Sequence, residues 1–62
     1  MRFMRLREVL KETGKSRSRL YDEVKSGEFP KPVKIGKHAV AWLENEVTAW
    51  QRARIAERDK AA

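Results

Sequence analysis

The sequence predicts a mainly α fold with a small β-hairpin, three helices plus a wing, and three observations carry that prediction. Two short amphipathic segments, about 7 to 13 and Arg17 to about Ser26, are joined through only Gly14, Lys15 and Ser16. Pro30-Lys31-Pro32 then forbids helix, and two apolar-rich runs follow on either side of Gly36-Lys37. Finally, Leu43, Val47 and Trp50 keep a four-three spacing in a closing segment. Two helices in a tight turn, then a hairpin, then a helix make a small winged helix-turn-helix. The 62 residues read as a single domain over 1–62, without internal repeats, linkers or low-complexity tracts.

Each element has a local reason. Phe3 to Leu6 is too brief to distinguish an edge strand from an extended lead-in. Leu6, Val9, Leu10 and Thr13 fall at helical spacing, with Glu8 early in the helix and Gly14 as its stop. Ser16 is placed to cap the second helix, because its hydroxyl can accept from an unpaired amide of the first turn. In that helix Leu20 and Val24 share the core face with Tyr21 beside them, whereas Arg17, Ser18, Asp22 and Lys25 point elsewhere. Gly27 closes it, and Phe29 is expected to anchor the chain on the core.

In the hairpin, a two-residue Gly36-Lys37 loop sets Ile35 opposite His38 and Val33 opposite Val40. That register puts Val33, Ile35, Val40 and Trp42 on one apolar face and projects Lys34 and Lys37 outward. The last helix is expected over about Leu43 to Arg58, with Glu44 and Glu46 in its first turn. Beyond Trp50 it offers only Ile55 as a large apolar side chain. Residues 51–62 are therefore expected to fray or to meet another protomer.

Composition narrows the function. A chain this short has a modest core, and without cysteine it has neither disulfides nor thiolate metal ligands. No apolar run approaches a membrane span, and the N-terminus lacks a signal-peptide core, so no membrane association and no processing are expected. The formal net charge of +6 is uneven: residues 1–14 carry +2, residues 15–38 carry +4, and residues 39–62 carry none. A localised basic surface is the electrostatic footprint of a nucleic-acid binder. With a single histidine, no glycine-rich phosphate cradle and no room for a deep pocket, no enzyme activity is expected, and no metal, cofactor or small-molecule substrate. The few aromatic residues fall at core spacing, which disfavours binding of single strands or RNA.

The candidate DNA-binding residues are Lys15, Ser16, Arg17, Ser18, Arg19, Tyr21, Asp22, Lys25, Lys34, Lys37 and His38. Arg17 and Arg19 flank Ser18 at a helix N-terminus, where free amides and the dipole already favour anions. Two guanidiniums there suit phosphates and guanine edges. Lys15 precedes the cap, in the place of an apolar staple, and its ammonium is expected to be free for a partner. His38 has no carboxylate or thiol companion for a metal and is expected at the rim of the apolar face or near a phosphate.

The stretches TGKSRSRLY, GEFPKPVKIG, AVAW and EVTAW, taken together, resemble the AlpA-like family of phage regulatory proteins, itself related to MerR-type and excisionase-like winged helices. The resemblance covers nearly the whole chain. It implies a DNA-binding transcriptional regulator of a phage, prophage or integrative element, acting on integrase expression or excision in the bacterial cytoplasm and nucleoid. Arg17, Ser18 and Tyr21 lie in the family's recognition-helix motif, and Lys34 and Lys37 lie where its wing should be. Two residues depart from its pattern: Lys15 replaces a usually apolar residue, and Arg19 a usually small hydroxyl residue.

The leading expectation is sequence-specific binding of double-stranded DNA, with protomers cooperating on neighbouring half-sites. An excisionase-type directionality factor is the alternative within the same class. From another class, the alternative is a protein-interaction adaptor whose basic face is merely solubilising.

Overall fold

A computed structural model describes residues 2–61 and gives the element order β1 (Phe3–Arg5), α1 (Leu6–Thr13), α2 (Arg17–Ser26), β2 (Val33–Gly36), β3 (Ala39–Leu43) and α3 (Glu44–Ala61). This is the winged helix-turn-helix of three helices plus a wing. The hairpin, however, belongs to a three-stranded antiparallel sheet of order β1-β3-β2. The open question about Phe3 to Leu6 is thereby answered: Phe3–Arg5 is an edge strand, and its Met4 stands opposite Trp42.

Local chemistry accounts for the two tight helix ends. Gly14 closes α1 at φ 72°, donating its amide to Leu10 O at 2.9 Å, and Gly27 closes α2 at φ 86°. Between them, Ser16 accepts from the Arg19 amide at 3.2 Å, as its place before the helix predicts. The turn is therefore defined at both sides by capping groups, and α2 has the bounds that the sequence suggests.

Met4, Val9, Leu20, Phe29, Trp42 and Val47 form one buried cluster, drawing on every element except β2. Both indoles also hold the chain that leaves α2. Trp42 Nε1 donates to Pro30 O at 2.8 Å, and Trp50 Nε1 donates to Glu28 O at 2.9 Å. With Phe29 edge-on to Trp50 at a centroid distance of 4.9 Å, the segment Glu28-Phe29-Pro30 is pinned from two directions. That pinning fixes the C-terminal end of α2 against the sheet and α3.

The hairpin departs from the expected register. Val33 pairs with Ala41, Lys34 with Val40 and Gly36 with Ala39, leaving Ile35 as the extra residue of a bulge. The two-residue loop is Lys37-His38, one position later than expected, and Gly36 has no positive φ. The physical reason lies in β1 and in the loop. Met4 of β1 occupies the core position opposite Trp42, and β2, on the other edge of the sheet, is exposed throughout and has little burial to specify its register. A two-residue loop without positive φ does not match the strand twist, and the bulge supplies the extra twist. Val33 and Ile35 are consequently about 40% exposed rather than core residues. Lys34 shares the sheet face of Val40 and Trp42, the face that carries the helices, and is not on a separate outer face.

The last helix starts one residue later than expected and continues to Ala61. Leu43 ends β3 instead, facing Phe3 across the sheet. After Gln51 every described residue of α3 is exposed, Ile55 included.

Candidate nucleic-acid interface

The outward surface of α2 is organised by helical spacing. Ser18, Asp22 and Lys25 follow one another at intervals of four and three, forming the middle of the exposed stripe. Arg17 and Tyr21, four apart, lie on the flank toward the hairpin, and Arg19 lies on the opposite flank, toward α3. Ser16 caps the same helix, so its amide-rich end opens beside Arg17 and Ser18. All seven of these side chains belong to exposed residues.

On the hairpin flank an open groove is lined by Arg5, Arg7, Arg17, Tyr21 and His38, with Leu6, Ala39 and Val40 beneath. Tyr21 leans on the buried Trp42, ring centroids 6.2 Å apart, which anchors its ring at the groove wall. His38 sits in the hairpin loop, beside Lys37 and close to α2, rather than facing Ile35. Lys34 and Lys37 are exposed on the same hairpin. The arrangement is a cationic surface running from α2 to the wing.

Arg5 and Arg7 were not among the residues singled out from the sequence. They bracket Leu6 at the start of α1, and pairing of β1 with β3 brings this corner beside the hairpin. The only local signal is two arginines placed around an apolar helix start, which does not disclose a neighbour some thirty residues away.

Lys15 behaves differently from expectation. Its Nζ lies 2.8 Å from Glu23 Oε1, its side chain is only 13% exposed, and it stands 4.6 Å from the Trp50 ring centroid. The ammonium is not free for a partner. It replaces an apolar staple by lying over an aromatic face and satisfying a carboxylate at once.

Glu23, also unforeseen, is the meeting point. Its Oε1 takes Lys15, while its Oε2 accepts from Arg19 Nε at 2.8 Å. Those two hydrogen bonds, Lys15 first, hold its carboxyl below the usual carboxylate range against the opposing effect of burial. Lys15 and Arg19, the two departures noted above, thus converge on one carboxylate.

A model of the family described as "Prophage CP4-57 regulatory protein (AlpA)" matches residues 2–55 of the chain, spanning every element up to the distal part of α3. The chain belongs to the AlpA family. It is also 49% identical over 59 residues to "Uncharacterized protein ORF88" of Enterobacteria phage P4, covering 95% of this chain and 67% of that protein. Membership makes this AlpA-family chain a regulatory protein of phage or prophage type. Among the described residues no group of three His, Cys, Asp or Glu side chains could hold a metal ion, and no helix is long and apolar enough to cross a membrane.

Proposed function

We propose that the protein binds double-stranded DNA sequence-specifically and thereby regulates transcription in a phage, prophage or integrative element, acting on integrase and excision control. The observation that carries this reading is the continuous cationic surface from Arg17 and Tyr21 of α2, across Arg5 and Arg7, to His38 in the hairpin loop. An α-helix about 10 to 12 Å across fits a major groove about 12 Å wide, and α2, with 10 residues, would lie about 15 Å along it. Arg17, Ser18, Asp22 and Lys25 then face base edges. An arginine or lysine reads guanine, and a carboxylate such as Asp22 accepts from a cytosine amine. Lys34 and Lys37 reach the backbone beside the groove, where they position the module without reading sequence.

A single module of this size makes few base contacts, so occupation of neighbouring half-sites by several protomers extends the site. The exposed Ile55 on the distal part of α3 supports contact between those protomers.

Enrichment of bound duplexes from a random-sequence library, followed by footprinting on the DNA around the protein's own gene, tests the reading. A reproducible short motif protected near that gene is expected. Equal retention of all sequences, or binding that is insensitive to salt, would overturn it.

A further inference from the structure

We infer that Glu23 is a positioning residue for DNA recognition: it fixes the Arg19 guanidinium through Nε and leaves its terminal nitrogens aimed outward for a pair of acceptors on the duplex. The inference rests on the DNA-binding reading above and names a residue that this reading does not itself require.

Arg19 makes one side-chain hydrogen bond among the described residues, from Nε to Glu23 Oε2 at 2.8 Å, while 71% of its side chain stays exposed. That is the geometry of a supported fork. Nε is the inner donor of the guanidinium, so tethering it orients the plane without consuming the outer edge that pairs with guanine O6 and N7 or with phosphate oxygens. Glu23 is itself held, because Lys15 takes its other oxygen and lies over Trp50, with Phe29 edge-on to the same ring. Glu23 also sits in the last half of α2, where its carbonyl accepts the amides of Glu28 and Phe29. The support therefore reaches from α3 through Lys15 and Glu23 to Arg19. An unsupported arginine must lose its rotamer freedom on binding, whereas this one has surrendered much of it on folding.

The sign of the effect separates positioning from charge. A carboxylate near a polyanion opposes binding, so removing Glu23's charge should tighten binding if charge alone mattered. Positioning predicts the reverse.

The test is a double-mutant cycle on a duplex enriched from the random library, with a scrambled duplex as control. Arg19→Ala should weaken binding to the enriched duplex by about five- to a hundred-fold, the range of one bidentate contact. Glu23→Gln should weaken it by about two- to ten-fold when Arg19 is present, and should cause no loss, or a slight tightening from the removed charge, when Arg19 is alanine. Lys15→Met/Glu23→Gln, which puts an apolar side chain over Trp50, should show the same loss in a chain left without an unpaired ammonium. The 15N-detected Nε–H resonance of Arg19 supplies a readout without DNA, and it should be slow to exchange in the wild type and fast in Glu23→Gln. Tighter binding by Glu23→Gln, or equal losses in both Arg19 backgrounds, would overturn the inference while leaving DNA binding intact. If no sequence is enriched and Arg17→Ala changes nothing, the DNA-binding reading falls and takes the inference with it.

Discussion

Lys15 and Trp50 meet face-on, Nζ 4.6 Å from the ring centroid, so that the residue just before the cap of α2 is fastened to the first half of α3. Helical spacing gives Trp50 a core-directed face, Phe29 packs T-shaped against its ring, and the Glu28 carbonyl accepts from its Nε1. The cation over the ring has its charge balanced by Glu23 at 2.8 Å. The turn, α2 and α3 are thereby joined by one partly buried ionic contact.

This contact predicts an asymmetry in stability. Lys15→Met keeps an apolar stem over Trp50 and leaves Glu23 paired with Arg19, so it should change stability by less than about 1 kcal/mol. Glu23→Ala instead strands the Lys15 ammonium against two aromatic rings and should cost about 1 to 3 kcal/mol. Urea unfolding of both variants measures the difference. Equal losses would show that the ionic half of the contact contributes nothing beyond packing.

Acid should reveal the same carboxylate. Glu23 is held below the usual carboxylate range by hydrogen bonds from Lys15 and then Arg19, so its folded pKa lies beneath its unfolded one. The stability it contributes is complete above the unfolded value and is lost as pH falls through the folded value. From about pH 5 to 2 the wild type should lose more stability than Glu23→Gln, which has no proton to take up there. Parallel pH profiles of urea midpoints would reject this assignment.

Gly27 and Gly36 should respond oppositely to alanine. A Cβ at Gly27 meets nothing within 4 Å, but φ 86° is a conformation that alanine resists, at about 1 to 2 kcal/mol. Gly36 lacks that conformation, and its added Cβ would rest 3.6 Å from Ala39 Cβ in ordinary contact. Gly36→Ala should therefore be neutral or slightly stabilising, because it restricts the unfolded chain. Thermal unfolding distinguishes the two. A large loss for Gly36→Ala would favour the loop register read from the sequence.

How far the sequence discloses this structure depends on the range of the interaction. Ser16, Gly14 and Gly27 act within a turn of their own position, and the bounds of α2 follow from them. Trp42 and Val47 are apolar in patterns that leave little choice of face. The hairpin register lies beyond local signals, because β1, remote in sequence, supplies Met4 to the core and Val33 and Ile35 stay at the surface. Among the site residues, exposed side chains on the outward stripe of α2 were legible from spacing alone. Lys15 was not, since an ammonium at a staple position discloses neither the ring above it nor the carboxylate that joins it. Arg5 and Arg7 escaped notice for the same reason as β1: the sheet pairing that brings them beside His38 is non-local.

Arg17 and Lys37 should separate reading from positioning. Arg17 lies on α2 at the groove beside the hairpin, so on the proposed reading Arg17→Ala should weaken binding to an enriched duplex by about 1 to 3 kcal/mol and bind scrambled duplex with less change. Lys37, exposed in the hairpin loop, should contact phosphate. Its alanine variant should weaken both duplexes about equally and lower the slope of log K against log salt by about 1. Titrations over a salt series decide the matter. A sequence-dependent loss for Lys37→Ala would move the hairpin into the base-reading part of the interface.

The distal part of α3 should matter for cooperation rather than for contact with a single site. Past Gln51 the helix is exposed to Ala61, and Ile55, half exposed, is its one large apolar side chain. An exposed isoleucine contributes little to the fold, so Ile55→Glu should alter stability by no more than about 0.5 kcal/mol. If neighbouring protomers touch there, the same substitution should reduce cooperative binding to a two-site duplex and leave one-site affinity nearly unchanged. Truncation after Trp50 should act in the same direction and more strongly, because it removes the whole exposed segment. Gel-shift titrations on one-site and two-site duplexes read both quantities. Independent filling of adjacent sites by the wild type would reject protomer contact, and equal losses on both duplexes after truncation would assign the segment to support of the fold.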